Sequence, residues 1–433
     1  MSVFTTQALK NRQQRLTTIL NTSMKTGELL LIFCGDPIQK PGGWDQNYYF
    51  IPHPLYFWIS GARRPSGIMS FSVDSGWTHY QKHYSDAEKI WDGIHEEITG
   101  LGRDQLDSQI KKFEKIYVLG QPAIMDLKLA KNNSLDEQNR LNISIELERR
   151  IKDSEEVALI EKAAAIASHG YKKFTEILKP GLTERDLQVD YEAEIARQGS
   201  HKNPYETLIG SGINAAILHA CPSMKKIEKD DLVLIDAGVD LYDYCVDITR
   251  VYPASGKFTS QAKMLYDVVN KAHAAGIENA KPGIEWHNIH ALTAKIIADG
   301  LKSFGLLKCD ADTALESEAI ALFYPHGVGH LVGLRVRDTG SPENLKPKKY
   351  CGAYLRVDLN LKENLTLTVE PGCYFIPALL NNPDQRAKFK DLINWTELDK
   401  WIPVGGVRIE DDILIQKNGP PRVLTAAVPI FKS

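Results

Sequence analysis

The chain has 433 residues, more than one hydrophobic core ordinarily serves, and an apolar share of 43% that is usual for a folded protein. Its net charge of −3, with both signs interspersed and no Lys/Arg block, argues against nucleic acid or a membrane as the main partner. The six cysteines (Cys34, Cys221, Cys245, Cys309, Cys351 and Cys373) are scattered without a C-x-x-C, which favours reduced thiols in a cytoplasmic protein over a disulfide framework or a zinc cluster.

Residues 1–17 are polar and lack the apolar core of a signal peptide. No apolar run reaches the ~20 residues that span a bilayer. Residues 8–20 have helical spacing, and 28–33 (Glu-Leu-Leu-Leu-Ile-Phe) read as a buried strand. The Pro- and Gly-rich stretch 36–44 predicts a loop, the densely aromatic 53–61 predicts core, and 67–73 predicts another strand. The polar stretch 127–142 reads as the connection between two domains, so the expected division is 1–150, a smaller mixed α/β domain, and 151–433.

At Asp153 the texture changes. Asp153 with Glu156 marks a helix start, and the helix should run to about residue 178, where Lys179-Pro180-Gly181 stops it. Thr183 can cap a second helix to about 198. The arrangement echoes later: a helix over 261–280, then Lys281-Pro282-Gly283, then a helix over 285–304. The two Lys-Pro-Gly triplets lie 281 − 179 = 102 residues apart. Pro-Gly simply ends helices, but the echo also fits an internal duplication, and this feature alone leaves the two readings even.

Five short motifs carry the chemistry. Asp236 ends the apolar run Leu232-Val233-Leu234-Ile235. Asp247 lies in Tyr244-Cys245-Val246-Asp247-Ile248-Thr249-Arg250. His330 closes His326-Gly327-Val328-Gly329-His330. Glu370 stands in Thr368-Val369-Glu370-Pro371-Gly372, and Glu410 in Gly405-Gly406-Val407-Arg408-Ile409-Glu410. The 11 residues from Asp236 to Asp247 suffice for a turn and a return strand, which would bring both carboxylates to one end of a sheet. Burying a bare carboxylate is very costly, and four around one imidazole call for divalent cations, two better than one. Such an oxygen-rich donor set suits Mn, Co or Zn. Metals ~3.5–4 Å apart, bridged by carboxylates, can hold a hydroxide and polarise a scissile carbonyl. Taken singly, each acid is an ordinary solvated charge; five in order, most of them on β-type runs beside glycine, are hard to obtain by chance.

In these motifs the sequence resembles the aminopeptidase P / prolidase / methionine aminopeptidase metallopeptidases of the pita-bread fold, from about residue 147 to 433. The resemblance implies an α+β protein of two domains. The C-terminal domain would be a pita-bread catalytic fold with pseudo-twofold halves, and two Asp and two Glu, one pair per half, fit that duplication. It further implies two metal ions, usually manganese, held by Asp236, Asp247, His330, Glu370 and Glu410. Asp247 and Glu410 would bridge them, and Glu370 would shuttle protons. Residues 372–414 are most similar to prolidase. His219 matches a family histidine that reaches the substrate, and His326 would lie behind the ligands, orienting His330 or the substrate. Arg356, 14 residues before Glu370, aligns with the prolidase arginine that grips a dipeptide's C-terminal carboxylate. Arg408 is grouped with these substrate-side residues. Two departures stand out. Arg337 replaces a second histidine that helps stabilise the tetrahedral intermediate; arginine offers charge and donors but cannot give up a proton, and it could instead pair with Asp338 or a substrate carboxylate. Ala220 stands where a tyrosine often follows the substrate histidine. The N-terminal domain, which in the family is non-catalytic and builds dimers or tetramers, is matched only loosely, through Asp45-Gln46-Asn47-Tyr48-Tyr49-Phe50 and the aromatic run after it.

The expected activity is therefore metal-dependent hydrolysis of the bond before a C-terminal proline, as in an Xaa-Pro dipeptidase. The rivals are an Xaa-Pro aminopeptidase acting on longer peptides, a pita-bread binding module without catalysis, and a metal-free creatinase-like enzyme. Retention of all five ligands disfavours the last two.

Overall fold

The computed structural model describes residues 3–93, 100–339 and 348–431. The chain divides into two compact units, Met1–Arg150 and Ile151–Ser433.

The first unit is built on a mixed five-stranded sheet in the order Leu101–Gly102, Gly76–Gln81, Ile68–Ser72, Glu28–Phe33, Lys115–Gly120. The apolar run Glu28–Phe33 sits inside it, antiparallel to one neighbour and parallel to the other, and its Leu29, Leu31 and Phe33 pack with Ile68, Ile116 and Val118. The aromatic run forms a short helix, Pro54–Ser60, with all of Leu55, Tyr56, Phe57, Trp58 and Ile59 buried and Gly61 ending it in the left-handed conformation. The stretch 127–142, expected to be a polar connector, is in large part helix: Leu135–Arg149 starts at a Ser134/Glu137 capping box, which satisfies backbone donors at both ends of the exchange. It buries only Leu141, Ile145 and Arg149, and so little apolar pattern explains why polarity masked it.

In the second unit the four expected helices are Ser154–Ile177, Glu184–Arg197, Ser260–Asn279 and Trp286–Ser303. Asp153 and Thr183 each close a capping box. The third helix is capped by Thr259, whereas Glu285 makes no side-chain cap for the fourth. Two three-stranded antiparallel sheets carry the chemistry. One orders Thr249–Pro253, Leu232–Asp236 and Leu208–Ser211; the other orders Thr366–Val369, Asp411–Leu414 and Arg422–Val423. A hairpin, Val239–Leu241 with Tyr244–Val246, and a strand pair, Gly372–Tyr374 with Gly406–Arg408, complete the frame. Apolar faces of the helices 260–279 and 286–303 cover it, through Leu265, Val269, Ala294 and Ile297 among others. No described helix is long and apolar enough to cross a membrane, and all six cysteines are free.

Candidate metal centre

Asp236 stands at the last position of strand Leu232–Asp236, paired in register with Thr249. The chain then leaves through the hairpin, whose turn residues Tyr242 and Asp243 have φ of 55° and 70°. A two-residue turn with both φ positive matches strand twist, and it returns the chain so that Asp247 directly follows Val246. The expected turn and return strand are thus present. Glu370 follows strand Thr366–Val369, and Glu410 lies between Gly406–Arg408 and Asp411–Leu414, its N–H donating to the Thr249 carbonyl at 3.1 Å. His330 is laid against the Glu370 strand by two bonds: its N–H to Thr368 Oγ1 (3.0 Å) and the Thr368 N–H to its carbonyl (2.9 Å). A Cβ at Gly329 would stand 2.0 Å from the Thr368 carbonyl oxygen, so only glycine permits this approach.

All ten residues singled out in the sequence line one cavity of ≈ 50 Å³: His219, Asp236, Asp247, His326, His330, Arg337, Arg356, Glu370, Arg408 and Glu410. Ligand atoms of Asp247, His330 and Glu410 all lie within 4.8 Å of one another. His330 Nδ1 faces the Leu331 carbonyl at 3.0 Å and must carry the proton of that bond. Its buried Nε2 then faces Asp247 Oδ2 (3.3 Å) and Glu370 Oε1 (3.6 Å), an approach that a proton or a cation between the atoms makes favourable. Burial pushes the Asp236 carboxyl up to about 6 against the opposing pull of Arg408. Burial, with Asp247 and Glu370 adding to it, drives Glu410 well above its ordinary range. Asp247 goes the other way: against burial, its contact with His330 and the Tyr205 hydroxyl hold it low. The donor set fits divalent cations, with Asp236, Asp247, His330, Glu370 and Glu410 as the residues that can hold them.

Around these ligands lies a hydrogen-bonded layer. The Tyr205 hydroxyl is 2.7 Å from Asp236 Oδ1 and 2.6 Å from Asp247 Oδ1; with one proton it donates to one at a time. Thr249 Oγ1 donates to Glu410 Oε2 (2.6 Å). The three guanidinium nitrogens of Arg408 are engaged by Asp236 Oδ2 (2.6 Å), the Tyr374 hydroxyl (2.9 Å) and Thr249 Oγ1 (3.1 Å), so this arginine holds a carboxylate in place. Tyr374 in turn reaches His326 Nε2 (2.8 Å), and His326 Nδ1 lies 3.8 Å from Glu370 Oε2. His326 therefore neighbours Glu370, and burial lowers its pKa to about 4. Sequence reasoning missed Tyr205, Thr249 and Tyr374. Thr249 and Tyr374 stand inside or beside the quoted motifs and were within reach; nothing local marks Tyr205.

His219, Arg337 and Arg356 occupy the open side. Burial, then the charges of Arg408, Arg356 and Arg337, lower the His219 pKa, which leaves a neutral imidazole at pH 7. Neither Arg337 nor Arg356 makes a hydrogen bond or ion pair among the described residues. Asp338 pairs with Lys152 at 2.7 Å rather than with Arg337. A second cavity of ≈ 300 Å³ adjoins, lined by Tyr205, Glu206, Cys221 and Arg337 beside the two Asp ligands.

This fold is that of the pita-bread metallopeptidases, and the acidic and histidine side chains gathered in it are of the kind that hold metal. The chain belongs to metallopeptidase family M24, whose description it matches over residues 158–417, more than half its length. It is 38% identical over 290 residues to a probable Xaa-Pro aminopeptidase PEPP of Podospora anserina, a stretch covering 66% of this chain and 62% of that relative. It is 29% identical over 419 residues to the uncharacterized peptidase YFR006W of Saccharomyces cerevisiae, covering 93% of this chain and 78% of the relative. Among solved structures it is similar to aminopeptidase PepP of Pseudomonas aeruginosa (TM-score 0.79, 25% identity, 99% of this chain and 97% of that one). Proline aminopeptidase P II from Yersinia pestis is equally similar (TM-score 0.80, 25% identity, the same coverage). The chain thus spans about three-fifths of the length of the first curated relative it matches.

Proposed function

We propose that this protein hydrolyses the peptide bond before proline in short peptides. The observation that carries the reading is the convergence of four carboxylates and the buried Nε2 of His330 on one cavity that also holds Arg337 and Arg356, which make no hydrogen bond or ion pair among the described residues. Two divalent cations, manganese by preference with cobalt or zinc as substitutes, would supply an activated water and polarise the carbonyl before proline. Glu370 faces the cavity and would take the water's proton and pass it to the proline nitrogen, a general acid–base role. An Xaa-Pro amide has no N–H, so the nitrogen must be protonated before it can leave. His219, neutral at pH 7, would hydrogen-bond the substrate.

Substrate length turns on Arg356. A guanidinium grips a carboxylate with two parallel bonds, and a free carboxylate one residue after the cut makes the substrate a dipeptide. The names of the relatives favour the second reading, an Xaa-Pro aminopeptidase accepting longer chains. The N-terminal unit would be non-catalytic and would serve assembly into dimers or tetramers, in a cytoplasmic enzyme. The test compares a dipeptide ending in proline with a tripeptide carrying proline second, each after chelation and again with Mn²⁺. Metal-dependent cleavage of the dipeptide alone supports the dipeptidase; preference for the tripeptide moves the assignment to the aminopeptidase. No turnover of either, with metal bound, sinks both.

A further inference from the structure

Lys152 stands two residues ahead of the helix Ser154–Ile177, and its ammonium reaches Asp338 Oδ2 at 2.7 Å with the two side chains 1% and 0% exposed. A pair this deep gains little net stability, because desolvating both charges offsets most of their attraction; its use is to fix one arrangement. The arrangement in question is the segment 331–338, which runs from the ligand His330 to the cavity wall. Within it the Asp338 N–H donates to the Leu331 carbonyl (3.1 Å) and the Gly333 N–H to the Arg335 carbonyl (3.1 Å). The Gly333 carbonyl accepts from the Cys245 N–H (2.7 Å), two residues before the ligand Asp247. The ion pair lies directly on this backbone: a Cβ at Gly333 would come 2.6 Å from Lys152 Cε and 2.9 Å from Asp338 Oδ2. A few residues along, Glu156 holds the Tyr244 hydroxyl at 2.9 Å, in the strand that leads to Asp247. With Asp338 drawn inward to Lys152, its neighbour Arg337 is left on the cavity side, lining both cavities and making no ion pair among the described residues.

We propose that Lys152 is a positioning residue: through its buried pair with Asp338 it holds Arg337 toward the substrate, and so governs how the site engages peptide without governing how it holds metal. This rests on the Xaa-Pro reading above for its kinetic consequence, though not for its structural one.

The test is a set of variants of the full chain loaded with Mn²⁺. Misplacing a positioned group by 1 Å can cost about 100-fold, so Lys152→Met is expected to lower kcat/KM for the better Xaa-Pro substrate by about tenfold or more while Mn²⁺ affinity stays within about twofold. Lys152→Arg, which keeps the charge, is expected to restore most of the loss. In an Arg337→Met background Lys152→Met should cost almost nothing further, since the group it positions is gone. Losses that multiply in the double variant, or a lowered melting temperature with unchanged kcat/KM, would overturn the proposal. If Lys152→Met does not fold, Lys152→Met with Asp338→Asn removes both charges and takes its place. Hydrogen exchange of 331–338 gives a readout independent of substrate. Faster exchange there in the Lys152 variant is expected, and unchanged exchange overturns the anchoring even if the unsubstituted chain cleaves neither peptide, an outcome that sinks the Xaa-Pro reading separately.

Discussion

In the half of the catalytic unit built on strands Leu232–Asp236 and Thr249–Pro253, the ligands are steadied largely by residues of the other half. Arg408 holds Asp236, and the carboxylate of Asp412 accepts the Asp247 N–H at 3.1 Å. The debt runs in reverse as well, because Glu410 takes its hydroxyl donor from Thr249. The two directions differ in kind. From across the seam the Asp side receives the Arg408 guanidinium, whereas the Glu side receives the aliphatic hydroxyl of Thr249. A charged brace offsets the burial of a carboxylate far better than a neutral one, and burial together with the charges of Asp247, Glu370 and Asp236 raises Glu410 well above its ordinary range. Each half thus lacks a finished site.

Four experiments would break or sharpen that contrast. The largest effect is expected from Arg408→Met, which strands Asp236 as an uncompensated buried charge. Removing one partner of such a pair costs about 3–5 kcal/mol, read by denaturant unfolding in chelator, and Mn²⁺ should recover part of it; a loss below about 1 kcal/mol would show that Asp236 does not need this brace.

Next comes pH. The folded pKa of Asp236 is about 6 against an ordinary 3.8, and Glu410 is raised as well. The chelated fold therefore binds more protons than the unfolded chain between about pH 4 and 6, and its stability falls as pH rises through that window. Metal needs the ionised carboxylates, so its stabilisation grows over the same range. Melting temperatures with chelator and with Mn²⁺ should diverge from pH 4 to 7, and a constant gap would contradict the assignment.

Tyr205→Phe removes the hydroxyl shared by both Asp ligands. Loss of an outer partner of this type costs about 10–100-fold in metal affinity, measured by calorimetric titration. Thr249→Val does the same to Glu410 and should fall at the low end, about tenfold. A Thr249 effect larger than that of Tyr205 would invert the ranking of the two halves.

What could be read in advance follows the reach of each signal. The helices at 153–178 and 183–198 end within a residue or two of expectation, because Asp153 with Glu156, Thr183 and the Lys-Pro-Gly triplet all act over three or four residues. The candidate ligands stood out because four of the five end or follow a β-type run, and glycine marks the places where backbones touch. The helix Leu135–Arg149 was missed although its Ser134/Glu137 box is as local as the others; polarity outweighed it. Tyr205 lies 31 and 42 residues from the carboxylates it serves, and Lys152 lies 338 − 152 = 186 from its partner. No spacing rule spans such separations, since only the finished packing brings them together.

The reciprocal bracing has a consequence in time. On the ribosome Asp236 is made 410 − 236 = 174 residues before Glu410, which at ~5–20 residues per second is about 9–35 s. Until the second half is made, the Asp half lacks His330, Arg408 and Asp412, and the hydroxyl of Thr249 has no Glu410 to serve. A site finished across both halves can therefore close only once the second half docks, whatever the moment at which Asp236 and Asp247 appear.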